Sequence, residues 1–226
     1  MSKEKESNKS LLKWVLIGVI ILSVVVVLYA TIPNDIRVAQ KLQSRGFNIG
    51  YEGRFAMILQ HPASFIWGHP SSVTVAGQNL TQDNLRLICQ LRDLKLLEFI
   101  RSDISGLDWD EIGHCRELFS LFFHDVKGFS ISEIQKADAC PIWSLVLNDV
   151  QLKDSDLENL MGLKQLDFLV MYANIGITDA SFEYLERMTT LKYLHLSGTS
   201  VTEEGVMEFE KKRPDVKVVS DFGKFI

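Results

Sequence analysis

The chain has few cysteines, no phosphate-binding glycine loop and no surplus of positive charge, and each shortage removes a class of function. Its three cysteines, Cys89, Cys115 and Cys140, occupy non-equivalent positions, with neither a C-x-x-C pair nor a histidine spacing suited to zinc. Their expected place is the interior, as small apolar side chains, with a Cys115–Cys140 bridge as the other reading in an oxidising compartment. Gly46, Gly50 and Gly53 follow neither G-x-G-x-x-G nor Walker spacing, so no nucleotide loop is expected. With 24 Lys and Arg against 29 Asp and Glu the net charge is −5, which argues against nucleic acid, whose phosphates demand clustered basic residues. No metal and no cofactor are expected.

Formal charge is also missing from Trp14 to Ile32, a run that as a helix would span roughly 28 Å, the hydrocarbon thickness of a bilayer. We read it as an uncleaved membrane anchor. A cleaved signal peptide is the competing reading, but Leu28 is a poor residue three places before a cut at Ala30. Lys3, Lys5, Lys9 and Lys13 against Glu4 and Glu6 make the preceding tail net positive, which keeps it cytoplasmic and places the rest on the exported, periplasmic or extracellular, side. Setting the tail's +2 against the chain's −5 leaves an exported part at −7, a charge that solubility alone explains. The expected organisation is a basic tail at 1–13, an anchor at 14–32, a cap at 33–70, a repeat domain at 71–214 and a closing cap at 215–226, in which Val216, Val218, Phe222 and Phe225 supply a final strand and closing flap. In the first cap, Asp35 to Ser44 has helical spacing, Gly46 stops it and residues 47–51 alternate like a strand. Phe65 and Trp67, in a loop bracketed by His61-Pro62 and His69-Pro70, are expected to plug the end of the repeats.

The repeats are the strongest positive signal. An apolar pair returns after about 24 residues, at Val73/Val75, Leu97/Phe99, Leu121/Phe123, Leu145/Leu147, Leu169/Met171 and Leu194/Leu196. A unit this short cannot bury its own apolar face, so neighbours must stack into a solenoid. The segment Leu191-Lys192-Tyr193-Leu194-His195-Leu196-Ser197-Gly198-Thr199-Ser200-Val201-Thr202 shows the order most clearly, and the chain resembles the leucine-rich repeat family over roughly residues 70 to 220. Its Leu196 to Val206 stretch is similar to the "L-S-G-T-x-V-T-D-x-G-L" repeats of membrane-anchored bacterial proteins of planctomycete type. The resemblance implies an α/β solenoid with a concave parallel sheet and convex helices. The family's inward Asn or Cys is here a mixture of Gln78, Ser102, Val126, Val150, Asn174 and Thr199. Thr81, Thr178 and Thr202 stand where helix N-caps are needed, and Ser130 with Glu133 reads as a capping box.

Alternate side chains on a strand face opposite ways, so the register predicts three outward columns. One runs Ser72, Leu96, Ser120, Ser144, Phe168, Tyr193; the middle one Thr74, Glu98, Phe122, Val146, Val170, His195; the third Ala76, Ile100, His124, Asn148, Tyr172, Ser197. The candidate partner-binding residues are Leu96, Glu98, Ile100, Phe122, His124, Val146, Phe168, Val170, Tyr172, Tyr193 and His195, because an exposed apolar strip marks an interaction site. β-propensity or self-coverage by the N-terminal segment is the alternative explanation. A hydrolase would need a nucleophile, a base and an acid together, but His124 and His195 are three strands apart, roughly 14 Å, and Glu98 sits in a different column from His124. No catalytic residue is assigned. The Asn79-Leu80-Thr81 sequon is explained by the Thr81 cap. The function expected is a membrane-anchored protein-binding or scaffolding module, with a structural subunit of a membrane complex or, less so, a tethered hydrolase as alternatives.

Overall fold

The computed structural model describes residues 34–52 and 69–222. The expected anchor at 14–32, the loop with Phe65 and Trp67, and Phe225 lie outside those residues. Among the described residues no helix is long and apolar enough to cross a membrane.

Alternation along each repeat produces one sheet of eight strands in chain order: β1 Asn48–Glu52, β2 His69–Ala76, β3 Leu96–Ile100, β4 Ser120–His124, β5 Ser144–Asn148, β6 Phe168–Val170, β7 Tyr193–His195 and β8 Lys217–Val219. β1 runs antiparallel to β2, and all later pairs are parallel. Pairing aligns Thr74, Glu98, Phe122, Val146, Val170 and His195 in one row, the register the repeat length demands. The alternate residues Leu97, Phe99, Leu121, Phe123, Leu145, Leu147, Leu169, Met171 and Leu194 have no exposed surface. Apolar area leaving water at these positions, of order 25 cal/mol per Å², is what drives the stacking. His69 and Pro70, expected in the loop, instead open β2. Pro70 pairs with Tyr51 at a bulge, a place where a strand tolerates a residue without an N–H.

The sheet continues into a tight turn after each strand. Gly77, Arg101, Asp125, Asp149, Ala173 and Gly198 all take positive φ, between 45° and 70°. Each amide from Gly77 to Ala173 donates to the carbonyl of the next unit, for example Ala173 N–H to Ser197 O at 3.0 Å, so the ladder is carried round the corner. Asn174, fully buried, uses its whole amide there: it donates to Leu147 O and Tyr172 O and accepts from Val150 N and Leu152 N. Ser102 does a smaller version, its hydroxyl 2.9 Å from both Val75 O and Ile100 O. At Val126 and Val150 the position is apolar and half-buried, so the polar ladder is interrupted in the middle units.

The convex side departs from the expected run of α-helices. Gln82–Ile88 (α2), Phe182–Arg187 (α3) and Glu203–Lys212 (α4) are α-helical, but Trp109–His114, Ile131–Ala137 and Asp154–Gly162 wind as 3₁₀ helices. Their buried residues recur every third position, as in Ile131/Ile134/Ala137 and Leu157/Leu160/Leu163, which matches three residues per turn. Thr81, Thr178 and Thr202 cap as expected, accepting from Asn84 N, Ala180 N and Gly205 N. The Ser130/Glu133 box does not form: Ser130 Oγ bonds Ser132 Oγ instead. A box-like contact occurs at Lys153, whose N–H donates to Asp156 Oδ2 at 2.9 Å.

At the start of the stack, Asn34–Gln43 (α1) buries Val38, Ala39 and Leu42, and Phe47 turns inward before β1. At the other end Val216 is buried beneath β8, while Phe222, expected to close the solenoid, is 45% exposed. Arg213 takes over part of that closing task. Its guanidinium donates to the carbonyls of Leu185, Glu186, Met188 and Leu191 in the preceding unit and is itself held by Asp215. The cysteines are free thiols, with Cys115 and Cys140 buried and Cys89 half-buried.

Candidate binding face

Neighbouring parallel strands lie about 4.8 Å apart, close to the separation of two stacked rings, so aromatic residues in one column are driven face to face. Phe168 and Tyr193, paired across β6 and β7, stack with centroids 4.4 Å apart and planes 6° from parallel. Phe119 and Trp143, each directly before its strand, do the same at 5.3 Å and 14°. Phe168 N–H donates to Trp143 O, which brings the two stacks onto consecutive units. In each pair one face of each ring is spent on the other.

Most of the expected binding residues do reach this surface. Leu96, Ile100, Phe122, Phe168, Tyr193 and His195 are half-buried, His124 is exposed, and Tyr172 is 47% exposed with its ring 6.1 Å from that of His195. Two do not: Val146 and Val170 are buried, at 7% and 9%, small side chains set in a row between Phe122 and His195. Glu98 is partly used within the sheet, accepting from Thr74 Oγ1 at 2.9 Å. Phe119 and the 42% exposed Trp143 were missed because the columns were started at the first strand residue. They stand at the parity that strand alternation assigns to the interior, so the register alone does not place them at the surface.

The face carries little charge. Burial holds the His195 imidazole below its ordinary value, opposed only by Asp221, so it is neutral near pH 7. His124 ends β4 and His195 ends β7, with β5 and β6 between them, so they do not converge on one substrate atom. Among the described residues no group of three or more His, Cys, Asp and Glu is placed to hold a metal. A groove on the convex side between α3 and α4 gathers Asp179, Glu183, Glu186, Glu204 and Glu208. Lys212 bridges Glu186 and Glu208 there, and the groove reads as a solvated acidic surface.

The fold is thus that of a leucine-rich repeat solenoid, and the candidate site is a partly exposed apolar band on its sheet. No protein-family model matches the chain, and no curated protein matches it. Among solved structures it is similar to a leucine-rich repeat protein of Leptospira interrogans (21% identity, TM-score 0.43, covering 59% of this chain and 33% of that one). It is also similar to two internalins of Listeria monocytogenes, inlF (16%, 0.43, covering 62% and 51%) and internalin C2 (14%, 0.46, covering 69% and 74%). The chain therefore spans a third of the first and about half of the second.

Proposed function

We propose that this protein is a membrane-anchored module that binds another protein through the concave band formed by Phe119, Phe122, Trp143, Phe168, Tyr172 and Tyr193. The observation that carries the reading is the pair of aromatic stacks on consecutive units. Large apolar rings left partly exposed on a well-packed sheet cost solvation without adding to the core, and such rings dominate the energy of protein interfaces. Because the two stacks lie on consecutive units, the partner is expected to lay apolar side chains across the strands, in contact with several units at once. The charge-free run 14–32 supports tethering, with the repeats on the exported side.

The test is capture from native membranes by crosslinking and mass spectrometry, comparing the parent chain with Phe168→Ser/Tyr193→Ser and with Trp143→Ser. Each is expected to reduce the captured partner at least tenfold while the melting transition remains cooperative. Undiminished capture by both variants would remove the concave band from the function. A partner recovered in fixed stoichiometry, and only with the intact membrane complex, would make the chain a structural subunit rather than a receptor.

A further inference from the structure

The first helix, α1, carries a stripe of charge that neither the core nor the concave band uses. Val38, Ala39 and Leu42 form its buried side. Arg37, Lys41 and Arg45 recur every fourth residue along an exposed side, the last of them in the turn that continues the helix. Arg45 donates to the neutral amide of Asn84, and Lys41 has no carboxylate within ion-pair reach among the described residues. Asp35 is the one acid between 33 and 46. Arg92 meets it at 4.0 Å and, with its side chain 81% exposed, brings a fourth cation to the start of the helix. Setting Asp35 against Arg37, Lys41 and Arg45 gives residues 33–46 a charge of +2, so of the −7 that follows the basic tail, residues 47–226 carry −9.

We propose that this basic stripe lies on the headgroups of anionic phospholipids and holds the first unit of the solenoid against the bilayer. The inference rests on the reading of 14–32 as an anchor and is independent of what the concave band binds. Pro33 alone separates that run from Asn34, where α1 begins, so the helix starts at the interface. A proline disfavours helical backbone in the residue before it, which suits a change of direction between anchor and α1. With ten residues α1 is about 15 Å long, more than the Debye length of roughly 10 Å at 0.1 M salt. Standing upright, it would carry Arg45 out of the field of the lipid charges. Lying along the surface, it keeps Arg37, Lys41 and Arg45 within that field together. Anionic lipid attracts Lys and Arg at this range and repels the acidic chain that follows, so the later repeats, with the concave band, stay clear of the bilayer. The same attraction acts on either side of the membrane, provided the facing leaflet holds anionic lipid.

The experiment places the full-length chain, one copy per disc, in lipid nanodiscs of phosphatidylcholine alone or with about 30% phosphatidylglycerol. Brief acylation by an amine-reactive ester is followed by mass spectrometry, which reads Lys41 against Lys211, an exposed lysine on α4 at the far end of the stack. In about 0.1 M salt Lys41 is expected to react at least threefold more slowly, relative to Lys211, in the phosphatidylglycerol discs, and about 1 M salt should remove the difference by screening. Arg37→Gln/Arg45→Gln should lose the difference too, while still entering the discs and melting cooperatively. A chain that does not enter the discs overturns the anchor reading and this inference with it. A chain that enters them with Lys41 equally reactive in both lipids overturns this inference alone. So does protection that persists in high salt or grows with the number of chains per disc, which would assign the stripe to a second copy.

Discussion

Single residues on the inner side of the turns do work that a hydrophobic count does not register. Asn174 satisfies two carbonyls and two amides at once, and replacing it by Ala would leave the N–H groups of Val150 and Leu152 buried without partners. At ~1–3 kcal/mol for each buried unsatisfied group, Asn174→Ala is expected to destabilise by about 3 kcal/mol in urea unfolding, with little change in the denaturant slope. Asp215 makes a second residue-scale case. Arg213 and Lys192 hold its carboxyl well below the usual carboxylate range. A group depressed in the folded state stabilises above its unfolded pKa, near 4, and that stabilisation is lost as pH falls through the folded value. Thermal midpoints taken from pH 5 to pH 2 should therefore fall less for Asp215→Asn than for the parent chain.

Between elements, short polar clamps fix how each unit sits on the next. Asp179 accepts from both the N–H and the hydroxyl of Thr202, at 2.8 and 2.7 Å, while the same hydroxyl accepts from Gly205 N and so caps α4. Asp154 grips Thr178 in the same way one unit earlier. This clamp explains the glycine in the motif: a Cβ on Gly205 would lie 2.3 Å from Asp179 Oδ1. Gly→Ala within a helix ordinarily stabilises by up to about 1 kcal/mol, but Gly205→Ala is expected to cost about 1–3 kcal/mol because the carboxylate must move. In an Asp179→Ala background the sign should reverse, and a double-mutant cycle by thermal unfolding would show a coupling of at least 1 kcal/mol.

At the scale of the molecule, each unit rests on its two neighbours, so stability is shared along the stack and weakest where it ends. Among the described residues β8 has three residues and one partner, whereas β4 and β5 are paired on both sides and β4 carries Phe123 in the aromatic packing with Phe99, Trp109 and Phe129. Native-state hydrogen exchange should rank amides of β8 as the first to open and those of β4 and β5 as the last. Equal protection from end to end would mean that the units melt as one.

The 24-residue spacing of leucine pairs was enough, by itself, to determine the solenoid, the parallel register and which side chains face inward, because strand alternation leaves only one way to bury them. Three threonine caps were legible for the same local reason. Tertiary structure decided what period could not: that the middle convex segments tighten into 3₁₀ turns, that Ser130 abandons its cap for Ser132, and that Val146 and Val170 vanish between larger neighbours. It also decided that Phe119 and Trp143, one place before their strands, stack on each other with part of their surface exposed. Each of these depends on how far one unit stands from the next, a distance set by packing across the stack and invisible along the chain.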